Sequence, residues 1–169
     1  MVPKQTVILL SGIPATGKST FARYLACEHG FAHYDLEYYP CGWPHPEAEL
    51  KGKWDNNRAA FVTQLRQYHD RIVLDWGFRV SFISWVNELR DLGVTLIWFD
   101  GDVVCARKKF CAREASKGRF GTEVSFNSQI EDIKREGYPA SLKSIVVPAL
   151  SADGIFLHPH QIERTVFSS

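Results

Sequence analysis

The sequence has no long hydrophobic run and almost no net charge, and each absence excludes a class of protein. The apolar run near the N-terminus, Thr6–Leu10, is far too short to cross a bilayer and has no small-residue cleavage site after a long apolar region. We therefore predict no membrane span and a cytoplasmic location. With 20 basic and 19 acidic residues, the formal net charge of +1 provides no overall field for nucleic acid or a membrane surface.

The four cysteines lack the spacing of a metal site. Cys27, Cys41, Cys105 and Cys111 form no C-x-x-C pair, and no histidine stands near them in a metal-finger arrangement. We predict reduced, mostly buried thiols and no structural zinc. Because internal repeats, low-complexity tracts and linkers are also missing, 169 residues with 45% hydrophobic content predict one compact domain over residues 1–169.

What the sequence does contain is a phosphate-binding pattern near its start. Gly12 and Gly17 have four residues between them and are followed by Lys and Ser. The pattern follows an aliphatic, β-branched run typical of a buried strand and precedes Phe21–Ala26, which has helical spacing. We predict that backbone amides here bind the phosphates of a nucleoside triphosphate. The predicted binding residues are Gly12, Ile13, Pro14, Ala15, Thr16, Gly17, Lys18, Ser19 and Thr20.

Two side chains of this segment carry chemistry of their own. Lys18 would reach the outer phosphates, and Ser19 offers a hydroxyl to Mg²⁺. The predicted cofactors are therefore a nucleoside triphosphate and Mg²⁺.

Two acidic side chains stand at the ends of predicted strands. One strand is predicted over Phe31–Tyr34 and ends at Asp35, and another is predicted over Arg71–Asp75. Ligands of open parallel sheets bind beyond the carboxyl ends of the strands, so both acids are site candidates. Asp35 could accept a proton from an attacking hydroxyl, or it could only cap the turn that follows. Asp75 could hold Mg²⁺, directly or through water.

The segment Pro40–Asn57 is rich in prolines, glycines and tryptophans. Proline and glycine break regular structure, so we predict an unusually long loop. The aromatic residues argue against disorder and favour a lid over the molecule that receives the phosphate. Trp43 and Trp54 would offer flat apolar surface to that acceptor, or they would close the core beneath the loop.

A strongly basic segment follows in the second half of the chain. Between Arg107 and Arg119 the chain carries six basic residues against one acid, Glu114. Such a run is either a solvated helix face or a phosphate-binding group. Taken alone, the run favours a solvated face. It follows the fourth predicted strand, however, and so resembles the flap that small kinases carry over the triphosphate, a role that guanidinium groups suit because they bridge phosphate oxygens bidentately and can stack on a purine ring. We assign Arg113 and Arg119 to the charge of the transition state. Arg107 is assigned to the base or the phosphates.

The rest of the chain alternates helices with strands. Helices are predicted over Arg58–His69, Ser81–Leu92, Ser125–Glu136 and Gln161–Phe167, and strands over Val94–Phe99 and Gly154–His158. Ala140–Leu150 fits either a helix or a strand. The pair His158 and His160 has no third ligand in view, so a structural role is preferred over a metal site. The alternation predicts an α/β fold with a parallel sheet and helices on both faces.

The loop, the two acids and the basic segment together resemble the small P-loop kinases. The likeness covers roughly the first 120 residues. It is strongest to the AAA-type ATP-binding kinase-like proteins, which also resemble polynucleotide 5′-hydroxyl kinases, chloramphenicol phosphotransferase, gluconate kinase and zeta toxins. The resemblance implies a P-loop NTPase three-layer sandwich of the nucleoside-monophosphate-kinase type, with a five-stranded parallel sheet. It implies Lys18 on the transferred group and Ser19 on Mg²⁺. It further implies Asp35 as base and Arg113 or Arg119 on a lid at about 107–121.

Two positions depart from the pattern of these families. Ala15 stands where many relatives have Gly, a change that the loop should tolerate. Polynucleotide kinases tend to have Arg three residues after the equivalent of Asp35, and this chain has Tyr38, which disfavours a nucleic-acid acceptor. We therefore predict an ATP- and Mg²⁺-dependent kinase that phosphorylates a hydroxyl of a small molecule. The alternatives are a polynucleotide or nucleotide kinase, and a nucleotide-binding switch or ATPase with no phosphoryl acceptor.

Overall fold

The structure, a computed structural model, describes residues 5–37 and 42–167 of the chain. Three sequence-based predictions concern residues outside these ranges: the departure at Tyr38, the start of the predicted loop at Pro40 and the thiol of Cys41. Within the two ranges, no helix is both long enough and apolar enough to cross a membrane.

Helices and strands alternate along the chain as predicted. A short 3-10 turn, Val80–Phe82, leads into the fourth helix. The predicted helices over Arg58–His69, Ser81–Leu92, Ser125–Glu136 and Gln161–Phe167 are confirmed to within two residues at each end. The elements are β1 Thr6–Gly12, α1 Lys18–His29, β2 Ala32–Asp35, α2 Ala48–Asn56, α3 Arg58–Tyr68, β3 Arg71–Asp75, α4 Ile83–Asp91, β4 Thr95–Gly101, α5 Val103–Ser116, α6 Glu123–Arg135, β5 Ile145–Leu150 and α7 Pro159–Phe167.

The strands form one five-stranded parallel sheet in the order β2-β3-β1-β4-β5, with flanking helices. β3 pairs with β1, which places Asp75 opposite Leu10, and with β2, which places Asp75 opposite Asp35. The inner strands β1 and β3 are continuous runs of buried aliphatic residues, as expected for parallel strands covered on both faces. β5 lies at the edge, where the missing N–H of Pro148 is tolerated. The predicted α/β fold is confirmed.

The chain packs as two compact units. The first comprises the described residues of Met1–Leu10 and Ser19–Leu96, and its core contains buried side chains of α3 and α4 such as Phe61 and Leu89. The second comprises the described residues of Ser11–Lys18 and Ile97–Ser169. The phosphate loop therefore packs with the second half of the chain. One domain over residues 1–169 stays a prediction.

The prediction of a long loop over Pro40–Asn57 is wrong. Helix α2 occupies Ala48–Asn56, the second half of that segment. Gly52 lowers helix propensity, but the helix buries Leu50 and Trp54 completely or nearly so, and this packing outweighs the cost of one glycine. Tertiary burial has overridden a local signal.

The predicted last strand over Gly154–His158 is also wrong. The last strand is β5, which occupies Ile145–Leu150, the second part of the ambiguous segment Ala140–Leu150. Phe156 makes only an isolated antiparallel bridge to Leu150. A short run of three apolar residues cannot distinguish a strand from an exposed turn that follows a strand. This turn becomes important for the candidate site.

The cysteine prediction is half right. Cys27, Cys105 and Cys111 are free thiols, as predicted, but Cys27 is exposed and the other two are only partly buried. The Cys105 thiol donates to the backbone oxygen of Ala152 at 3.1 Å. Partial burial, together with the neighbouring Asp102, raises the pKa of Cys105 and favours the unreactive thiol form.

Candidate functional site

The phosphate loop is built on backbone conformations that glycine favours. The φ angle is +130° at Gly12, +61° at Ala15 and +96° at Gly17. Space is limited as well, because a Cβ added at Gly12 would lie 2.2 Å from the backbone oxygen of Phe99. The N–H of Ile13 donates to that same oxygen at 3.0 Å. The chain thus enters the loop directly against the backbone of β4.

Two side chains of the loop bond to one carbonyl oxygen. Thr16 Oγ1 donates to the backbone oxygen of Ile13 at 2.7 Å, and Lys18 Nζ donates to it at 2.9 Å. Lys18 is only 8% exposed, and a buried ammonium requires an acceptor of this kind. Because α1 begins at Lys18, the N–H groups of its first turn and the positive end of its dipole are at the loop. A cation and a helix N-terminus at one loop suit an anionic ligand.

The loop is anchored by the side chain of Ile13. This side chain is buried in an apolar cluster of the second unit, which joins the loop to α5, α6 and β5. The cluster consists of Ile13, Ala106, Phe126, Ile130 and Leu150, with Val103, Cys105, Phe110 and Ile133 packed against it. The basic helix α5 and the phosphate loop therefore share one core.

An aromatic ring that the sequence analysis did not assign to the site lies beside the loop. A Cβ added at Gly17 would lie 3.5 Å from Cδ1 of Phe156. The ammonium of Lys109 is 4.6 Å from the centre of the same ring, a cation–π contact. Phe156 remains 45% exposed, so part of this apolar ring faces solvent next to the loop. Phe156 contacts Gly17, which is distant in sequence. The sequence analysis missed this contact because it placed Phe156 in a strand over Gly154–His158.

The basic segment is mainly helical. Its residues up to Ser116 belong to α5, and the predicted lid at 107–121 therefore consists of all but the first turn of that helix plus part of the turn before α6. Arg113 and Arg119 both form ion pairs with the buried carboxylate of Glu114, and Arg107 pairs with Glu123 at 3.2 Å. Closure of this segment over a triphosphate stays a prediction.

In the first unit, the two predicted acids lie at adjacent strand ends. Asp35 and Asp75 are paired in the register of β2 and β3. The N–H of Leu36 donates to the backbone oxygen of Asp75 at 2.9 Å, and the N–H of Trp76 donates to the backbone oxygen of Leu10 at 3.0 Å. These bonds extend the pairing one residue past each strand and hold the ends of β1, β2 and β3 together.

Asp75 is a buried acid with a histidine beside it. It is 3% exposed, and His33 Nε2 lies 3.7 Å from its Oδ2, too far for a hydrogen bond. His33 Nε2 is buried and has no hydrogen-bond partner among residues 5–37 and 42–167. A buried carboxylate beside an orphaned ring nitrogen fits a place for water or for a hydrated cation.

Asp35 is exposed, and one of its two carboxylate oxygens accepts a hydrogen bond. Its Oδ1 accepts the N–H of Glu37 at 2.8 Å, which is the turn-capping role considered as the alternative to catalysis. Glu37 in turn accepts the N–H of Gly77 through Oε1, so the segments after β2 and β3 are connected. His45 Nε2 lies 3.0 Å from the backbone oxygen of Asp35. The capping bond occupies one carboxylate oxygen, and the role of Asp35 as a base stays a prediction.

The two tryptophans assigned to acceptor contact differ in position. Trp54 is 3% exposed and packs edge-on against Trp76 and Trp85, so of the two roles left open for it the structure supports closing the core and not contact with an acceptor. The reason is its place on the inner face of α2. Trp43 is partly exposed, donates to the backbone oxygen of Glu47 and contacts the His45 ring, and it stays a candidate for acceptor contact.

No group of three or more His, Cys, Asp or Glu side chains in the described ranges is arranged to hold a metal ion. His158 and His160 stack with ring centres 5.2 Å apart, and the N–H of His160 donates to His158 Nδ1, which is a structural pairing. Magnesium beside a nucleotide takes most of its ligands from phosphate and water, so a dedicated protein cluster is not required for it.

The arrangement thus combines a parallel α/β sheet with a phosphate-loop geometry between the first strand and the first helix. No protein-family model and no curated protein matches the chain by sequence. Solved structures do match its fold, although their sequence identity to this chain is only 13–15% in the three examples that follow.

Kinases are among these structures. The gluconokinase from Sinorhizobium meliloti 1021 is 13% identical, with a TM-score of 0.56 over 97% of this chain and 90% of that one. A sugar kinase from Janibacter sp. HTCC2649 is 15% identical, with a TM-score of 0.56 over 96% of this chain and 92% of that one. The shikimate kinase from Acinetobacter baumannii, solved with shikimate, is 13% identical, with a TM-score of 0.58 over 97% and 95%. This chain therefore has the fold of these small kinases.

Proposed function

We propose that this protein is an ATP- and Mg²⁺-dependent phosphotransferase that moves the γ-phosphoryl group to a hydroxyl of a small molecule. The observation that carries the proposal is the phosphate loop, with Ala15 in a left-handed conformation and the Lys18 ammonium bonded to the Ile13 carbonyl at the start of α1. Non-glycine residues in this conformation cluster at ligand sites. The fold shared with gluconokinase, sugar kinase and shikimate kinase structures supports the same class.

The triphosphate would be bound by the loop. Backbone amides of Gly12–Thr20 and the first turn of α1 would surround the phosphates, and Lys18 would pair with the transferred group. The exposed face of Phe156 offers a stacking surface for the nucleobase beside the loop. Arg107 would contact the base or the phosphates.

Magnesium would be held by oxygen atoms. Ser19 is exposed in the first turn of α1, and the Asp75 carboxylate is buried beside the orphaned nitrogen of His33. Hydroxyl and carboxylate oxygens are the ligands that Mg²⁺ prefers. The bound ion neutralises charge on the phosphates. Ser19 and Asp75 are therefore the proposed protein ligands, one directly and the other directly or through water.

The transfer step assigns one role to each remaining residue. The acceptor oxygen attacks the γ-phosphorus, the bond from that phosphorus to the β,γ-bridging oxygen breaks, and ADP leaves. Asp35 would take the hydroxyl proton on the carboxylate oxygen that does not cap the turn. Arg113 and Arg119 would stabilise the charge on the transferred group. The cytoplasmic location and the small-molecule nature of the acceptor are parts of this proposal.

The test is an acceptor screen with γ-labelled ATP and Mg²⁺. The panel contains sugars, sugar acids, shikimate-like cyclic alcohols, nucleosides and a 5′-hydroxyl oligonucleotide, and it is run on the wild type, Lys18→Ala and the control Lys143→Ala, an exposed lysine of the same unit. We expect label on a small molecule, unchanged transfer with Lys143→Ala and a loss of roughly 100-fold or more with Lys18→Ala. Full transfer by Lys18→Ala would refute the role of this lysine.

Other outcomes separate the alternatives. Label on the oligonucleotide, with binding that weakens steeply as salt rises, would indicate a polynucleotide kinase. ADP release with no labelled acceptor, unchanged in Asp35→Asn, would indicate an ATPase or a switch. Under the proposal, Asp35→Asn binds Mg·ATP normally and loses transfer.

A further inference from the structure

One buried acid organises the basic segment. The Glu114 side chain is 8% exposed, whereas those of the three cations around it are about half exposed. Glu114 Oε1 lies 3.0 Å from Arg113 Nε, and its Oε2 lies 3.0 Å from Arg119 Nε. The ammonium of Lys117 is 3.8 Å from Oε1. Each carboxylate oxygen therefore holds one arginine.

The backbone of Glu114 holds the same segment. Its carbonyl oxygen accepts the N–H groups of Lys117 at 3.0 Å and of Arg119 at 2.9 Å, which ends α5. Gly118, with φ of +73°, turns the chain back over the helix end. Arg119 is thus fixed to Glu114 through both its backbone and its side chain.

The bonding pattern leaves the outer edges of both guanidinium groups available. Arg113 and Arg119 each use Nε toward Glu114, and neither Nη edge bonds to another residue within 5–37 or 42–167. Arg113 also lies over the Phe110 ring, with its Cζ 5.2 Å from the ring centre. The paired Nη donors are the edge that binds phosphate oxygens bidentately. Three cations around one carboxylate also leave a local excess of positive charge.

We propose that Glu114 is a positioning residue that holds Arg113 and Arg119 as a preformed pair. The Nη groups of this pair bind the phosphoryl group while it is transferred. This inference rests on the proposed function and adds a residue to it. A buried carboxylate between two arginines is poorly explained by stability alone, because its desolvation offsets much of the attraction. Preorientation of the two guanidinium groups explains the arrangement, because donors that are already oriented stabilise the charge of a transition state best.

The test is the steady-state kinetics of Glu114→Gln, which keeps the shape and removes the charge. We expect kcat for transfer to fall roughly 10- to 100-fold, the usual effect of losing a group that orients a site residue. The KM for ATP is expected to change less than about 3-fold, because the phosphate loop supplies most of the binding. The matched control is Glu136→Gln, an exposed acid at the end of α6 that pairs with Arg135, and it leaves both constants unchanged.

A mutant cycle separates positioning from support of the fold. In the Arg113→Ala/Arg119→Ala background, Glu114→Gln is expected to cause no further loss of kcat, because nothing remains to be oriented. A similar further loss in that background, or an unchanged kcat in the single variant, would overturn the proposal. If Glu114→Gln melts below the assay temperature, Glu114→Asp replaces it, and its retracted carboxylate is expected to give a smaller kcat loss that also vanishes in the double-alanine background.

Failure of the proposed function is a distinct outcome. If the wild type transfers to no acceptor and hydrolyses no ATP, calorimetry with inorganic tripolyphosphate still tests the arginine pair. Tripolyphosphate binding that weakens equally in Glu114→Gln and in the double-alanine variant would support the pair as an anion clamp without the kinase reaction. Binding that is unaffected by Glu114→Gln would refute the role of Glu114.

Discussion

Replacing Gly12 by Ala tests how tightly the phosphate loop is built against β4. The added Cβ would lie 2.2 Å from the backbone oxygen and 2.6 Å from the backbone nitrogen of Phe99, so strand backbone must move by about 0.8 Å or more to reach the shortest contacts that proteins show. Overpacking of this kind costs about 1–3 kcal/mol. The left-handed φ of +130° adds about 1–3 kcal/mol for a residue with a side chain.

The expected total loss of about 2–6 kcal/mol is a large part of the ~5–15 kcal/mol that stabilises a typical domain. The measurement is urea unfolding at 25 °C, and a fall in melting temperature of about 4–24 °C is expected alongside it. The matched control is Gly30→Ala, where φ is +66° but no atom lies within 4 Å of the added Cβ, so only a backbone cost of about 1–2 kcal/mol is expected. Equal losses in the two variants would refute the claim that the loop abuts β4.

Two further predictions concern Phe156 and Tyr34. Phe156→Ala is expected to weaken Mg·ATP binding by about 1–3 kcal/mol, the value of stacking one base, and to leave tripolyphosphate binding unchanged, as calorimetry with both ligands can show. Equal loss for both ligands would assign the ring to loop support instead. Burial, assisted by the charge of Glu47, raises the pKa of Tyr34 to about 12. The unfolded chain releases this proton from about pH 10, so the free energy of unfolding should fall as the pH rises from about 10 to 12. In Tyr34→Phe, the free energy of unfolding measured by urea titration should lose this part of its decrease between about pH 10 and 12. The same pH dependence in the wild type and in Tyr34→Phe would contradict the prediction.

The sheet and the phosphate loop could be predicted because their signals are local. An aliphatic run before Gly12 and a helical pattern after Lys18 lie within a few residues of the motif, and the inner strands β1 and β3 each contain a continuous run of buried apolar residues. The end of β3 was predicted for the same reason, because Asp75 directly follows the apolar run Ile72–Leu74.

The errors arose where packing distant in sequence decides the outcome. Gly52 suggested a loop, but Leu50 and Trp54 bury the inner face of α2 against the first unit. At the other end of the chain, the apolar residues around Phe156 suggested a strand, but the ring contacts Gly17. The helical i, i+4 spacing of Leu50 and Trp54 was outweighed by the surrounding prolines and glycines, and nothing local in the sequence indicates the contact between Phe156 and Gly17.

The contacts of Glu114 could be predicted from the sequence only in part. The sequence revealed that it is the one acid between Arg107 and Arg119. That count could have suggested a shared partner for the cations. Only the end of α5, where Gly118 returns the chain over the helix, reveals that one carboxylate forms ion pairs with both Arg113 and Arg119.

The central claim is that the loop from Gly12 to Thr20 binds the phosphates of a nucleoside triphosphate. Isothermal titration of the wild type with Mg·ATP and with Mg·GTP measures this directly, with Lys18→Ala as the comparison. The account predicts one-to-one binding of at least one of the two nucleotides, weakened in Lys18→Ala. Absence of binding heat for both at several temperatures, or binding that is undiminished in Lys18→Ala, would contradict it.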